Sequence, residues 1–301
     1  MWVVFDLIIF GFLCSVGFFV LHVWFHHKRH PQKFGMTILL CALVIGWVTV
    51  FYGSFIESHR LVVNRQSIAL SQIPTQTIRV TLISDVHVGP YKKSAWVKEV
   101  VSRVMEQQPE IIFLAGDFVT ASSEDVQWLD PLKDLKAPYG VYAVTGNHEY
   151  QVQAAQETIE KLKSLGIRVL ENEQKNILIG DKTVVLAGVS DIWFDGDLRK
   201  TLAGVESGDT VILLAHNPDV VLDVESQKAD LVLAGHTHGG EIRLPWIGPV
   251  PPLPTKLGRA YDEGWFLRGE SQLFITSGVG ESGTRARLFN PPEIVVIEVG
   301  I

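Results

Sequence analysis

The chain has 301 residues, room for one large domain or two small ones, and 47% of them are hydrophobic, with a mean hydropathy of +0.21. That is too apolar for an ordinary soluble enzyme, and it excludes a disordered chain. Residues 1–56 hold only four formal charges, Asp6, Lys28, Arg29 and Lys33, so the other 245 carry 23 Lys or Arg against 32 Asp or Glu, a net −9 that speaks against a nucleic-acid binder working through a basic face.

Two apolar runs come first. Residues 4–24 carry one charge, Asp6, and residues 36–56 carry none. Each run is about 21 residues, roughly 31 Å as a helix, which matches a hydrocarbon core. Trp2, Trp24, Trp47 and Tyr52 fall mostly near interface depth. A buried hairpin in a soluble core would need polar positions to face water, and neither run has them. A cleaved signal peptide fits poorly too, because no basic region opens the chain and no small-residue cleavage site follows. The spacing therefore predicts a transmembrane hairpin over 1–56 and a multi-pass protein of the cell membrane. Both cysteines, Cys14 and Cys41, lie in this part, so no disulfide and no thiolate metal site is expected beyond it.

Residues 57–77 read as a polar, irregular connector with Pro74. From residue 78 onward, short β-rich runs alternate with amphipathic ones. Strands are expected at Ile78–Ser84, Ile111–Ala115, Val141–Thr145, Thr183–Val189, Thr210–Leu214, Leu231–Ala234, Leu273–Thr276 and Ile294–Val299. Helices are expected at Ser94–Gln107 and Ala154–Leu165. Apolar strands between helices indicate sheets covered by helices, an α/β class with α+β-type layering over 78–301. The Pro-, Gly- and Trp-rich stretch 241–270 is long for a connection, and it reads as an interface contact, an acyl-chain cap or a structural lid.

Five motifs follow apolar strands in order: Asp85-Val-His87, Gly116-Asp117, Gly146-Asn147-His148-Glu149, His216-Asn217 and Gly235-His236-Thr237-His238. Strand carboxyl ends are where ligands gather in α/β sheets. In extended backbone, residues i and i+2 point the same way, so Asp85 with His87, and His236 with His238, can each converge on one centre. Asp117 can bridge two cations, and Asn147 offers a neutral carbonyl. Oxygen and nitrogen donors without sulfur suit Mn²⁺, Fe or Zn²⁺ better than a calcium cage. Each motif alone has a bland alternative in turn or cap chemistry; all five in order do not. Arg285 and Arg287 read as solvated surface charges or as bidentate contacts to a phosphate.

On these motifs the chain resembles the calcineurin-like metallophosphoesterases over about residues 78–301. The endings Gly235-His-Thr-His-Gly-Gly240 and Arg287-Leu-Phe-Asn-Pro-Pro-Glu-Ile294 are similar to a membrane-anchored or exported bacterial phosphodiesterase branch that includes UDP-2,3-diacylglucosamine hydrolases. The resemblance implies a four-layer α/β/β/α sandwich and two divalent metals, with Mn²⁺ first in expectation. One metal would be held by Asp85, His87, Asp117 and His238, the other by Asp117, Asn147, His216 and His236. It also implies hydrolysis of a phosphodiester or pyrophosphate by a metal-bridging hydroxide, with His148 facing the leaving group and Glu149 beside it. A phosphorylated small molecule or lipid is the expected substrate, and no nucleic acid is expected. The alternatives are a non-catalytic metal-binding scaffold on the membrane or, among enzymes, a protein phosphatase or nuclease. Three basic residues between the spans against two after them, Arg60 and Arg65, place the catalytic domain outside the cytoplasm.

Overall fold

The two apolar runs form unbroken helices, α1 (Trp2–His27) and α2 (Phe34–Phe55), in the computed structural model, which describes residues 2–27 and 34–301. Both are long and apolar enough to cross a membrane. They pack on each other through a Trp47 indole N–H donated to the Leu13 carbonyl at 2.8 Å and a Phe10–Phe55 ring contact at 5.7 Å. Most of their other side chains face outward, Phe18 at 74% exposure and Ile45 at 65%, so this is not the core hairpin of a soluble protein. Lys28, Arg29 and Lys33, the basic residues between the helices, lie outside the described residues.

Where the sequence predicts an irregular connector over 57–77, the structure places a strand, β1 (Val62–Ala69), and the expectation is corrected. Its Asn, Arg, Gln and Ser hide the strand pattern, because an edge strand needs apolar residues on one face only. The core strands β2 (Thr77–Ile83), β3 (Ile111–Ala115) and β4 (Val141–Val144) follow expectation closely, as do α3 (Ser94–Met105) and α5 (Ala155–Ser164), while α4 (Asn147–Gln151) and a short β5 (Arg168–Val169) are elements that the sequence does not predict. Next come β6 (Glu173–Ile179), β7 (Lys182–Gly188), α6 (Leu198–Thr201), β8 (Thr210–Leu214) and β9 (Leu231–Ala234). The chain ends with a small ribbon, β10 (Arg243–Leu244) and β11 (Gly248–Pro249), then β12 (Gly264–Arg268), β13 (Ser271–Ile275) and β14 (Glu293–Gly300).

Two six-stranded sheets result, ordered β1-β14-β2-β3-β4-β5 and β12-β13-β9-β8-β7-β6. In the first, β2 to β5 run parallel; in the second, β7, β8, β9 and β13 do. Alternation within each strand sorts residues between faces. Val80, Leu82, Phe113, Leu186, Ile212, Leu233 and Ile297 fill the space between the sheets. Ile83, Ile112 and Leu114 turn outward onto Val97, Val100 and Val104 of α3 and Leu162 of α5. On the far side, Leu213, Val232 and Ile275 pack under Leu198 of α6 and Val220. The order is helix, sheet, sheet, helix. Strands buried on both faces read as continuous apolar runs, which is why they were visible in the sequence.

Candidate metal centre

Parallel strands put their carboxyl ends on one rim. β2, β3 and β4 of the first sheet deliver Asp85 and His87, Asp117, and Asn147 with His148; β8 and β9 of the second deliver His216, and His236 with His238. All seven expected metal ligands are buried there, none more than 4% exposed.

They form two clusters sharing one residue. Asp85, His87, Asp117 and His238 bring donor atoms within 4.8 Å of one another, as do Asp117, His216 and His236. In the first cluster the Nε2 atoms of His87 and His238 lie 3.1 Å apart, and Asp85 Oδ1 is 3.2 Å from His238 Nε2. In the second, His216 Nε2 lies 3.1 Å from His236 Nδ1 and 3.2 Å from the Asn147 side-chain oxygen. Asp117 Oδ2 faces both, 3.5 Å from His87 Nε2 and 3.2 Å from His216 Nε2.

The tautomers follow from carbonyls, which can only accept. His216 Nδ1 is 2.7 Å from the Ala115 carbonyl and His236 Nε2 is 2.8 Å from that of Pro254. Each ring donates there, so the lone pairs on His216 Nε2 and His236 Nδ1 are turned on each other and on two side-chain oxygens. Acceptors facing acceptors require a cation or a proton between them. The electrostatics agree. Burial opposes charge on Asp85 and Asp117, but the adjoining histidines, His238 and His216 respectively, outweigh it and hold both carboxyls below the usual range. Burial likewise opposes charge on His216, yet Asp117 outweighs it and pushes the ring up to about 10. Burial and His216 together hold His236 down to about 4. One ring takes a proton and its neighbour does not. Oxygen and imidazole donors turned on one another in two clusters that share Asp117 fit a dinuclear divalent metal site.

The geometry corrects one argument from the sequence. The Asp85–His87 and His236–His238 pairs do converge, but not through extended backbone. Asp85, His87, Asp117, His236 and His238 all have φ between +47° and +72°, the left-handed region that non-glycine residues seldom enter. Each ligand loop is a tight reversal at a strand end. Gly146 is the glycine this packing demands: a Cβ there would overlap the Asp117 carboxylate and lie 2.6 Å from the Asp117 backbone nitrogen.

His148 stands apart from the clusters. Its backbone N–H donates to Asp117 Oδ1 at 2.9 Å, its ring meets His87 edge-on at 4.5 Å, and its Nδ1 is buried without a hydrogen-bond partner among the described residues. Glu149 receives a structural role: its carboxylate accepts backbone N–H groups from Asp117, Phe118, Val119 and Gly146 at 2.6–3.1 Å. Burial and Asp117 push that carboxyl up, to about 8, against the pull of the Gly146 and Val119 N–H groups and of His216.

Neither arginine is a solvated surface charge, and Arg287 is not free to meet a phosphate. Arg287 is wholly buried, and its guanidinium donates to the carbonyls of Ser277, Gly278, Gly280 and Asn290, clamping the turn after β13. Arg285 pairs with Asp6 of α1 at 2.8 Å and lies over the rings of Phe55 and Tyr91. In the 241–270 stretch, Pro254 and the Thr237–Asp262 hydrogen bond fold part of the chain over the centre. Trp265 belongs to β12, packed on Phe274, whereas Trp246 is fully exposed.

Sequence reasoning missed several supports. Glu241 Oε1 is 3.2 Å from His238 Nδ1 and is itself held by Ser282. Asp191 is buried beside His216, and burial pushes its carboxyl up. Trp193 sets its ring edge-on against His236 at 4.6 Å. Asp191 follows β7 just as the ligands follow their strands, and that was the available signal.

Residues 78–240 match the family model described as calcineurin-like phosphoesterase. A Caenorhabditis elegans protein named as a metallophosphoesterase is 32% identical over 86% of this chain and 56% of its own length. The Danio rerio transmembrane protein with metallophosphoesterase domain is 28% identical over 88% of this chain and 63% of its own length. The chain therefore spans less than two thirds of those two relatives. The Escherichia coli phosphodiesterase YaeI is 30% identical over 78% of this chain and 87% of its own length.

Proposed function

Since the chain belongs to the calcineurin-like phosphoesterase family and is a metal-dependent phosphoric ester hydrolase, we propose that it is a membrane-anchored phosphodiesterase acting on a lipid-borne phosphodiester or pyrophosphate. The observation that carries the chemistry is the pair of donor clusters meeting at Asp117 Oδ2. Asp85, His87, Asp117 and His238 would hold one divalent cation, and Asp117, Asn147, His216 and His236 the other. Such a pair supplies Lewis acidity, an activated water at neutral pH and charge neutralisation on phosphoryl oxygens. Mn²⁺ is the metal we assign, with Fe and Zn²⁺ the competitors that the same donors admit.

The protein's own part is positioning. Glu149 ties the Asp117 and Asn147 loops into one unit through four N–H groups, which fixes the shared carboxylate against both histidine pairs. Asp117 in turn holds the backbone of His148. The His148 ring, partly exposed beside His87, is then placed to give a proton to the departing oxygen.

The anchor supports a lipid substrate, because it is built into the centre's scaffold. Glu57, just past α2, accepts the backbone N–H groups of Phe289 and Asn290 at 3.0 and 2.9 Å, and the Asn290 amide donates to the His238 carbonyl at 2.7 Å. A tether of that kind holds the site near headgroups, which a freely diffusing nucleotide would not need. We assign the domain to the extracytoplasmic face.

The test is metal-stripped full-length protein in detergent, reloaded with Mn²⁺ and assayed on bis(4-nitrophenyl) phosphate, with bound metal counted in parallel. Two metals per chain and restored hydrolysis are expected. Two bound metals with no hydrolysis of any ester would leave a metal-binding scaffold instead.

A further inference from the structure

A cavity of about 340 Å³ lies between the hairpin and the domain, walled by Phe5 and Ile9 of α1, Val50 of α2, and Ile242, Ala286 and Leu288 of the domain. Its volume falls at the small end of ligand pockets. Arg287 also borders it, but its two Nη atoms donate to four carbonyls, and the walls are mostly carbon. Such a space offers few partners for water. We propose that it seats one acyl chain of the lipid substrate, an inference that rests on the lipid phosphodiesterase reading above.

Three observations favour that occupant. The cavity opens among side chains of the helices that would face the bilayer, at the end where α1 begins and α2 ends, so a chain can enter from hydrocarbon without crossing water. Its domain wall is also bonded to the metal centre: the Leu288 N–H donates to the Glu241 carbonyl at 3.0 Å, Ile242 follows directly, and the Glu241 carboxylate stands 3.2 Å from His238. From the same wall the β10–β11 ribbon projects Trp246, wholly exposed, and Ile247, 62% exposed, which suits a surface resting at interface depth. Close seating of α2 on the domain keeps the walls together. The Arg287 N–H donates to the Gly53 carbonyl at 3.1 Å, and a Cβ on Gly53 would stand 2.9 Å from the Arg287 carbonyl oxygen.

The test uses Mn²⁺-loaded full-length protein in nanodiscs with two 4-nitrophenyl phosphodiesters, one carrying an ethyl and one a dodecyl group as second ester. The dodecyl ester should show the higher kcat/KM, by about tenfold or more, mainly through KM. Ala286→Trp, and separately Val50→Trp on the membrane helix, should bring that ratio close to one. In parallel, a phosphatidic acid with a diazirine at the end of its acyl chain should crosslink to peptides containing residues 5–9 and 284–288, less so in either variant. Crosslinks elsewhere only, or crosslinks here with an unchanged ratio in both variants, would mean bilayer lipid lying against the hairpin and would overturn the proposal. Hydrolysis of neither ester by the parent chain would instead sink the phosphodiesterase reading, and this inference with it, whatever the crosslinks show.

Discussion

One carboxylate oxygen of Asp117 faces two histidine pairs, and no nearby side chain repeats that geometry. Asp117→Ala should therefore lose both metals and essentially all turnover. Near-normal hydrolysis with two metals still bound, by elemental analysis, would refute a shared ligand. The cost of the arrangement is visible in the backbone. Five ligand residues sit at positive φ, and each such residue costs on the order of 1–3 kcal/mol unless its surroundings enforce it. Glu149 is part of that enforcement. His148 is a separate case, since its ring touches the ligands without joining either donor cluster. His148→Ala should keep two metals and lose roughly 10²–10⁴-fold in kcat, the range of a positioned acid. The loss should shrink as the leaving group improves from an alkoxide to 4-nitrophenolate. A fall in metal content alongside activity would make His148 a ligand and the role assigned to it wrong.

At the level of elements, β1 changes what the catalytic unit requires. Its eight residues pair in parallel with the whole of β14, and Glu57 just before it holds Phe289 and Asn290. A chain beginning at residue 70 leaves β14 as an unpaired apolar edge, so we expect it to aggregate or to melt well below a chain beginning at residue 56. Size-exclusion profiles and thermal melts of the two would decide, and equal behaviour would show β1 to be dispensable. What the sequence reveals follows the same physics. β3, β8 and β9 are buried on both faces and announce themselves as apolar runs. β1 and β6 lie at sheet edges and read as polar mixtures such as Val-Val-Asn-Arg-Gln-Ser. The candidate donor set is legible because Asp, His and Asn in order after strands have no packing use. The left-handed backbone beneath those residues is not, since φ is decided by loops closing against each other, as Gly146 does on Asp117. Arg287 is the sharpest miss. Its burial depends on the carbonyls of Ser277, Gly278 and Gly280, which the turn after β13 aims at it, and nothing in composition shows which carbonyls those are.

For the whole molecule, the open choice is which side of the membrane the metal centre faces. If α1 and α2 both span, the amino terminus and the domain share a side, because two crossings return the chain to where it began. The loop between the helices then faces the other way, with Lys28, Arg29 and Lys33. On the domain side, Arg60 and Arg65 follow α2 within the distance over which basic residues set orientation. Arg65, however, lies inside folded β1 and donates to Gln107 at 2.6 Å. The charge of Arg285, at the domain end of α1, is matched by Asp6. The loop is thus the more basic flank, and on the proposed spanning arrangement that would retain it in the cytoplasm and put the domain outside. Protease added to intact cells whose outer barrier has been opened should digest the chain beyond residue 57 while sparing the helices. Moving basic residues to the other flank, by replacing Lys28, Arg29 and Lys33 with Gln and adding three Lys before Trp2, should protect the domain until lysis. A parent domain already protected in intact cells would reverse the orientation and put the proposed lipid phosphoester in the cytoplasmic leaflet.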